Sequence, residues 1–295
     1  MMIVPPVKCQ GIKTKLVPHI RRLLDWQGNG RWIEPFCGSA VVAFNIQPRR
    51  ALVADTNVHI IRLYQAVQSG EMTPANVRSH LEREGKALAD RGEEHYYAVR
   101  DRFNASPDPW DFLFLSRACF NGVMRFNRSG KFNVPFCRKP SRFSPSYVSK
   151  IANQVRAVAK ILSSVEWEFR VADFRAVLPT ATPEDFVYAD PPYAGRHTDY
   201  YNGWDDRADA DLINGLAALP CRFMLSTWHH NRYRSNPIVH RFEQIPGFAV
   251  SLVEHFYHVG STEDLRSPMT EALVTNYTPR PQTVRPKPQQ AVLAI

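Results

Sequence analysis

The residues with the clearest chemical potential are Asp190, Pro191, Pro192 and Tyr193, which follow the apolar run 187–189. Two consecutive prolines keep the backbone extended and remove two N–H donors. The segment therefore offers hydrogen-bond acceptors, the Asp190 carboxylate and the Pro191 carbonyl, beside the aromatic ring of Tyr193. The structural alternative is that the proline pair simply ends a strand.

A pair of acceptors next to an aromatic face suits one chemistry in particular, methylation of the exocyclic N6 amine of adenine. That amine is planar and weakly nucleophilic because its lone pair is delocalised into the ring. Acceptors that hold its two hydrogens favour a pyramidal nitrogen, which can attack a sulfonium methyl, and they stabilise the positive charge that develops. An aromatic ring would stack on a base that has left the duplex. We therefore interpret Asp190, Pro191, Pro192 and Tyr193 as catalytic residues that work without a metal.

A second candidate site begins at Glu34-Pro35-Phe36-Cys37-Gly38, where a short strand runs into a turn with one glycine. Asp55 ends the next apolar run, about twenty residues further on, where an acid accepts hydrogen bonds from ribose hydroxyls. The alternative, that Asp55 caps the helix beginning at Asn57, has equal weight on this spacing alone. The turn is neither GxGxxG nor a phosphate loop, so the pattern indicates a nucleoside-containing cofactor without identifying it.

Short apolar runs alternate with helical patterns, which predicts an α/β fold with a doubly wound, mostly parallel sheet. The predicted strands are 31–36, 51–54, 167–171, 186–189, 223–226, 249–254 and 272–277. The predicted helices are 12–24, with Pro18 in a break or a first turn, 39–46, 57–69, 74–105, 110–120 and 145–162. The alternation stops between the second and third strands. We predict a catalytic domain from residues 1–66 and 163–278, an inserted domain at 67–162 and a loose Pro-rich tail at 279–295.

The net charge of +9 is concentrated in one part of the predicted insert. Residues 112–165 contain ten Lys and Arg and no Asp or Glu, whereas the rest of the chain carries 27 basic and 28 acidic residues. A solvated face normally mixes both signs. The acid-free segment therefore indicates a polyanionic partner such as nucleic acid.

Composition and motifs exclude several other classes. The longest apolar runs are too short to span a membrane, and the first residues lack the charged head and apolar stretch of a signal peptide. Five scattered cysteines form neither a disulfide framework nor a CxxC pair, which favours a reducing cytoplasm. Adjacent residues on a strand face opposite ways, so His229 and His230 are a poor metal site.

From about Lys8 to Tyr277, the motifs and their order resemble the Dam-like (D12 class, α-group) DNA adenine N6-methyltransferases. The resemblance rests on residues 8–16 (KCQGIKTKL), 34–38 (EPFCG), 55–57 (DTN), 171–174 (VADF), 190–193 (DPPY) and 117–136 (RACFNGVMRFNRSGKFNVPF). It implies the S-adenosylmethionine-dependent methyltransferase fold and S-adenosylmethionine as the cofactor. The implied cofactor residues are Gly11, Lys13, Glu34, Pro35, Phe36, Gly38, Asp55, Asp173 and Phe174. Among them, Gly11 and Lys13 would hold the methionine part, Asp55 the ribose, and Asp173 and Phe174 would flank the adenine.

The same resemblance assigns residues 117–136 to a hairpin that enters double-stranded DNA. Phe120 would be an aromatic intercalator, Asn121 would help to fill the vacated helix, and Arg125 would read a guanine edge. The implied phosphate contacts are Arg128, Lys131, Arg138 and Lys139, and Lys8 is the remaining predicted DNA-binding residue.

Three departures from the family pattern leave the target sequence open. Ala40 stands where the family often has a second glycine, Cys9-Gln10 replaces a commoner Trp-Ala pair, and Phe120 replaces a usual tyrosine. GATC therefore cannot be assumed. We interpret residues 195–201 as a loop that closes over the flipped adenine and residues 226–231 as pocket wall.

Two rival functions stay open at this point. In the first, the chain would be a methyltransferase that acts on RNA or on a protein amide. In the second, it would be a catalytically inactive DNA-binding relative. The initial Asp190, where glutamine-directed enzymes usually carry asparagine, favours adenine. We expect a bacterial or phage protein of the cytoplasm that acts as a monomer, with a weak dimer as the alternative.

Overall fold

The computed structural model describes residues 2–9, 11–192, 204–230, 235–255 and 269–279. Within these ranges one seven-stranded sheet forms, in the order β3-β2-β1-β4-β5-β7-β6. The strands are β1 (Trp32–Glu34), β2 (Arg50–Asp55), β3 (Glu166–Val171), β4 (Phe186–Ala189), β5 (Arg222–His230), β6 (Ala249–His255) and β7 (Met269–Thr275). The first five are parallel neighbours, and β7 runs antiparallel between β5 and β6. The predicted doubly wound, mostly parallel sheet is confirmed.

Helices connect the strands and also form the block between β2 and β3. They are α1 (Val17–Leu23), α2 (Val41–Ile46), α3 (Val58–Gln68), α4 (Pro74–Arg91), α5 (Glu93–Ala105), α6 (Pro109–Ala118), α7 (Pro145–Leu162), α8 (Phe174–Val177), α9 (Asp206–Ala217) and α10 (Pro237–Glu243). Pro18 lies in the first turn of α1, where its missing N–H costs no hydrogen bond.

The region predicted to be helical over 74–105 consists of two helices, α4 and α5. Gly92 lies between them with φ of +57°, which ends α4 and redirects the chain. The amphipathic pattern continues on both sides of the glycine, so periodicity alone did not reveal the break.

The centre of the sheet is buried on both faces, as expected for parallel strands covered by helices. Every residue of β1 and β4 is buried, and the rings of Trp32 and Phe186 stack with centroids 5.2 Å apart. The hydrophobic cluster on one face continues from these strands into α4–α7. The helical block therefore packs directly on the sheet, so that elements of both regions are positioned by one core.

Several sequence predictions concern residues outside the described ranges, namely residues 280–295 of the tail predicted at 279–295, the loop at 195–201, Asn231 of the predicted pocket wall and Tyr193. In the part of the chain that the structure covers, none of the helices has the length and apolar character needed to cross a bilayer.

Candidate active site

Asp190 lies immediately after β4, at the carboxyl edge of the sheet. Its Oδ1 atom is 2.8 Å from Nζ of Lys13 and accepts a hydrogen bond of 2.9 Å from Oγ of Ser226 on β5. The Ser226 hydroxyl is in turn 2.9 Å from the Tyr188 hydroxyl. Pro191 is buried and Pro192 half-buried beside this array. Two predicted site residues far apart in sequence, Lys13 and Asp190, thus form one ion pair.

Desolvation and neighbouring charges act together on the pKa of this carboxylate, whose side chain is 20% exposed. Desolvation raises the pKa of Asp190, the Lys13 ammonium lowers it, and the Glu271 carboxylate raises it further. Desolvation also raises the pKa of Glu34 to about 8, against a hydrogen bond from the Trp32 indole that lowers it. Glu34 is only 2% exposed, so its carboxyl group faces the protein interior, and its predicted contact with a cofactor stays a prediction.

The turn after β1 is fixed by Asp55 at the end of β2. Asp55 Oδ2 accepts a hydrogen bond of 2.9 Å from the Gly38 N–H, and Oδ1 accepts one of 2.8 Å from the Asn57 N–H. The cap of α3 is the Asn57 side chain, which accepts from the N–H groups of His59 and Ile60. The helix-capping alternative for Asp55 is therefore wrong, and the carboxylate joins the ends of β1 and β2.

Open space lies beside this turn. Gly38 has φ of +48°, and a Cβ atom built there meets no atom within 4 Å. Ala40, two residues later, also has a positive φ of 52° and is fully buried, so it adopts a left-handed conformation that glycine tolerates better. Gly11 on the neighbouring N-terminal segment has φ of +70°. A Cβ atom built on Gly11 would lie 3.8 Å from Lys13 Nζ, which places this glycine near Asp190 at the end of β4, where the strand order reverses.

An aromatic cluster forms one side of the same edge. The Phe36 ring is 5.3 Å from Phe174 and 5.6 Å from Trp204, and Phe174 is 5.6 Å from Trp204. Phe174 is buried, whereas Asp173 is half-buried, caps α8 and pairs with Arg175. Sequence reasoning missed Trp204. The available signal was an isolated tryptophan just before the acidic start of α9.

The N-terminal segment also contacts the base of the predicted hairpin. A Cβ atom built on Gly122 would fall 2.3 Å from Cδ of Lys8, so the lysine stem lies directly against this glycine. Arg117, which is 6% exposed, donates to the Pro6 carbonyl and to Oε1 of Gln154. The segment that carries Lys13 is therefore anchored both to the insert and to Asp190.

Residues 117–136 form the predicted hairpin, and isolated antiparallel β-bridges pair its two arms. Cys119 pairs with Phe136, Phe126 pairs with Phe132, and the Phe120 N–H donates to the Pro135 carbonyl at 2.8 Å. Asn127 closes the tip, where its side chain accepts from the N–H groups of Ser129 and Lys131.

The side chains of this hairpin divide sharply by exposure. Phe132 and Phe136 are buried against rings of α5, and Phe126 is buried against His59 of α3, but Phe120 is 54% exposed. Asn121 beside it is exposed and has a positive φ of 54°. The exposed cations around these residues are Arg128, Lys131, Arg138 and Lys139. Arg125 is half-buried, and its Nε donates to Oδ1 of Asn133 at 3.1 Å.

The histidine pair at the end of β5 behaves differently from the sequence expectation. The strand is irregular between Trp228 and His230, and Nδ1 of His229 lies 2.7 Å from Nδ1 of His230. Adjacent side chains therefore touch here. Even so, no group of three or more His, Cys, Asp or Glu placed to hold a metal occurs within the described ranges. All five cysteines are free thiols.

Comparison with known proteins gives a consistent set of matches. A family model described as D12 class N6 adenine-specific DNA methyltransferase matches residues 10–259. Modification methylase StsI from Streptococcus sanguinis is 27% identical over 92% of this chain and 42% of that protein. Type II methyltransferase M.MjaIII from Methanocaldococcus jannaschii is 31% identical over 65% and 70%. DNA adenine methylase from Haemophilus influenzae is 33% identical over 64% of each chain. The chain thus spans less than half of StsI and about two thirds of the other two.

The matched family is one of methyltransferases, and in this chain the mostly parallel sheet places the Asp190 carboxylate, 20% exposed, beyond the end of β4. The family match covers most of the 295 residues. The chain belongs to the D12 class of N6 adenine-specific DNA methyltransferases.

Proposed function

We propose that this protein transfers a methyl group from S-adenosylmethionine to N6 of an adenine that has rotated out of double-stranded DNA, within one short target sequence. The observation that carries the proposal is the half-buried Asp190 carboxylate at the sheet edge, which contacts both Lys13 and Ser226. Family membership supports the substrate, and the exposed Phe120 on a basic hairpin supports duplex DNA as its source.

The residues at the ends of β1 and β2 fit S-adenosylmethionine. Open space beside Gly38 allows a bulky ligand to approach the backbone. Asp55 uses one hydrogen bond on each oxygen for Gly38 and Asn57, which leaves lone pairs for the ribose hydroxyls. When bound, the cofactor supplies an electrophilic methyl group on a sulfonium. The residues that we propose to hold it are Gly11, Lys13, Glu34, Pro35, Phe36, Gly38, Asp55, Asp173 and Phe174.

The residues after β4 hold the amine that is methylated. Asp190 and the Pro191 carbonyl accept the two N6 hydrogens, and Tyr193 stacks on the base. The acceptors stabilise the positive charge that develops on nitrogen as it attacks. The Lys13 ammonium lowers the pKa of Asp190, against the desolvation that raises it, and so favours the ionised carboxylate that acts as an acceptor.

The hairpin supplies the contacts to DNA. Phe120 is exposed although it lies among buried phenylalanines, as expected of a side chain that inserts between base pairs. Asn121 fills the space left by the rotated adenine. Arg125 reads a guanine edge after exchanging its Asn133 contact for the base, while Lys8, Arg128, Lys131, Arg138 and Lys139 contact the backbone and nearby phosphates.

The direct test is incubation of the protein with tritiated S-adenosylmethionine and plasmid DNA, followed by single-molecule mapping of N6-methyladenine. We expect methylation at one short motif and its loss in Asp190→Ala. Binding of S-adenosylmethionine, measured by calorimetry, should survive in Asp190→Ala and weaken in Gly38→Val, whose side chain would enter the open space. Methylcytosine as the product, or full activity in Asp190→Ala, would overturn the proposal.

Matched substrates separate the rival functions. Duplex DNA, RNA of the same sequence and a glutamine-containing peptide are offered at equal concentration. Faster methyl transfer to RNA or to the peptide than to duplex DNA would show that RNA or protein, and not DNA, is the substrate. Cofactor binding without transfer to any of them would identify an inactive relative.

A further inference from the structure

We infer that Ser226 is a positioning residue that sets the orientation of the Asp190 carboxylate, with Tyr188 fixing the Ser226 hydroxyl in turn. This inference rests on the proposed function of Asp190. The inference adds two hydroxyl groups to those that the motif Asp190–Tyr193 supplies, because Tyr188 lies within β4 and Ser226 within β5.

The sheet register brings Ser226 to Asp190. Ala189 on β4 pairs with Leu225 on β5, so the next residues along the two parallel strands, Asp190 and Ser226, are neighbours at the sheet edge. Ser226 is fully buried and Tyr188 is 2% exposed. Water therefore has little access to replace either hydroxyl.

The direction of the hydrogen bonds follows from the chemistry of the groups. An ionised carboxylate only accepts, so the Ser226 hydroxyl donates its single proton to Asp190. Ser226 Oγ must then accept from the Tyr188 hydroxyl, which keeps its proton because burial raises the pKa of that phenol well above its usual value. The chain from Tyr188 to Ser226 to Asp190 therefore has one direction.

Both contacts to Asp190 fall on the same oxygen. Lys13 Nζ and Ser226 Oγ contact Oδ1 from different elements, at 2.8 and 2.9 Å. Two donors on one oxygen prevent the carboxylate from rotating about its Cβ–Cγ bond. Among the described residues neither donor contacts Oδ2, which is thereby presented as the acceptor for the substrate amine.

The experiment compares Ser226→Ala with Ser116→Ala in the full-length protein. Ser116 is also fully buried, and its hydroxyl donates only to the Leu113 carbonyl of its own helix, so it controls for the loss of a buried serine hydroxyl. We expect kcat to fall about 10- to 100-fold in Ser226→Ala, the range for a lost hydrogen bond to a charged group. The dissociation constant for S-adenosylmethionine should change less than about twofold. Ser116→Ala should keep kcat.

The pH profile supplies a readout that a purely structural role would not move. The groups that face Asp190 are Lys13, Tyr188 and Ser226, together with the carboxyl groups of Glu34 and Glu271. Ser226 is one of the donors that lower the pKa of Asp190, so its removal should move the acidic limb of kcat to higher pH. Tyr188→Phe leaves the Ser226 hydroxyl in place. It should lower kcat and move the acidic limb to higher pH, as Ser226→Ala does, but by smaller amounts.

Three results would overturn the inference: an unchanged kcat in Ser226→Ala, an equal loss in Ser116→Ala, or a fall in kcat with no movement of the acidic limb. Failure of the proposed function is seen separately, because the unmodified protein would then produce no N6-methyladenine. Melting temperatures of all three variants, measured in parallel, show whether a lost kcat reflects unfolding.

Discussion

Buried carboxyl groups dominate the chemistry at the residue scale. Glu34 and Glu271 are 2% and 0% exposed, and the Asp190 carboxylate, 20% exposed, interacts with the Lys13 ammonium and the Glu271 carboxylate. Burial raises the pKa of Glu34, Asp55 and Asp190 alike. Keeping acids away from water costs stability, which indicates that this part of the molecule is arranged for a ligand rather than for maximal stability.

The loss of stability that results from burying a carboxyl group can be measured at Glu34. Its pKa rises from 4.5 to about 8 on folding, so the folded protein binds the proton more tightly than the unfolded chain. Stability from the protonated carboxyl is therefore present at low pH and is lost as pH rises from 4.5 towards 8. Glu34→Gln keeps an acceptor for the Trp32 indole but does not ionise. Relative to wild type, its free energy of unfolding should increase by about 1.4 kcal/mol per pH unit across this window.

Urea denaturation over this pH range, without cofactor, checks the prediction. Glu166→Gln is the control, because that carboxyl group is 63% exposed and should show no such trend. A constant difference between wild type and Glu34→Gln across the pH range would contradict the assignment of a buried, protonated Glu34.

At the scale of elements, the N-terminal segment connects the proposed catalytic centre to the proposed DNA-binding hairpin. The N-terminal segment contacts Asp190 through Lys13, and its Pro6 carbonyl is held by Arg117 at the start of the hairpin. The hairpin itself rests on buried Phe132 and Phe136, which leaves Phe120 exposed. Packing thus separates the supporting aromatic residues of the hairpin from the one available to a partner.

Two matched substitutions test this division of roles. Phe120→Ala should change the free energy of unfolding by less than about 0.5 kcal/mol, since the ring is more than half exposed. It should weaken binding to a duplex carrying the target by about 1 to 3 kcal/mol, the worth of one stacking contact. Phe132→Ala removes a ring that is 1% exposed and should cost about 3 to 5 kcal/mol of stability.

Chemical denaturation and fluorescence anisotropy with labelled duplex DNA measure the two quantities. If Phe120→Ala destabilised the fold as much as Phe132→Ala, Phe120 would be a supporting residue. Unchanged DNA affinity in a folded Phe120→Ala protein would remove it from the interface.

The whole molecule separates its charge by region. The acid-free segment 112–165 carries ten basic residues, while the remainder is nearly neutral. In the structure this segment comprises most of α6, the hairpin and α7, so the positive charge is carried by the helical block rather than by the sheet. Binding of a polyanion by such a surface must depend strongly on salt.

Salt dependence distinguishes phosphate contacts from base reading. The double variant Arg128→Ala, Lys131→Ala should reduce the magnitude of the negative slope of log K against log salt by about 2, and it should keep the sequence preference. Arg125→Ala should instead reduce discrimination at one base pair by about 1 to 3 kcal/mol, with S-adenosylmethionine binding unchanged. Anisotropy titrations at several salt concentrations, with target and altered duplexes, check both. Unchanged specificity in Arg125→Ala would exclude it from base reading.

The sequence by itself determined the fold class, the position of the helical block and the segments of the site. It did so because periodicity, proline pairs and charge runs are local properties of the chain. Asp190 and Gly38 were visible in this way, whereas the hairpin at 117–136 was implied by the family resemblance. The break between α4 and α5 was missed because one glycine barely alters a helical pattern over 32 residues.

Only the tertiary structure decided how these segments meet. The Lys13–Asp190 pair joins residues 177 positions apart, and the Asp55 carboxylate binds the Gly38 turn rather than capping α3. The register of β4 and β5 places Ser226 beside Asp190, and packing on Phe36 places Trp204 at the same site. Such contacts depend on strand order and on which side chains exclude water, and neither is written in any local stretch of residues.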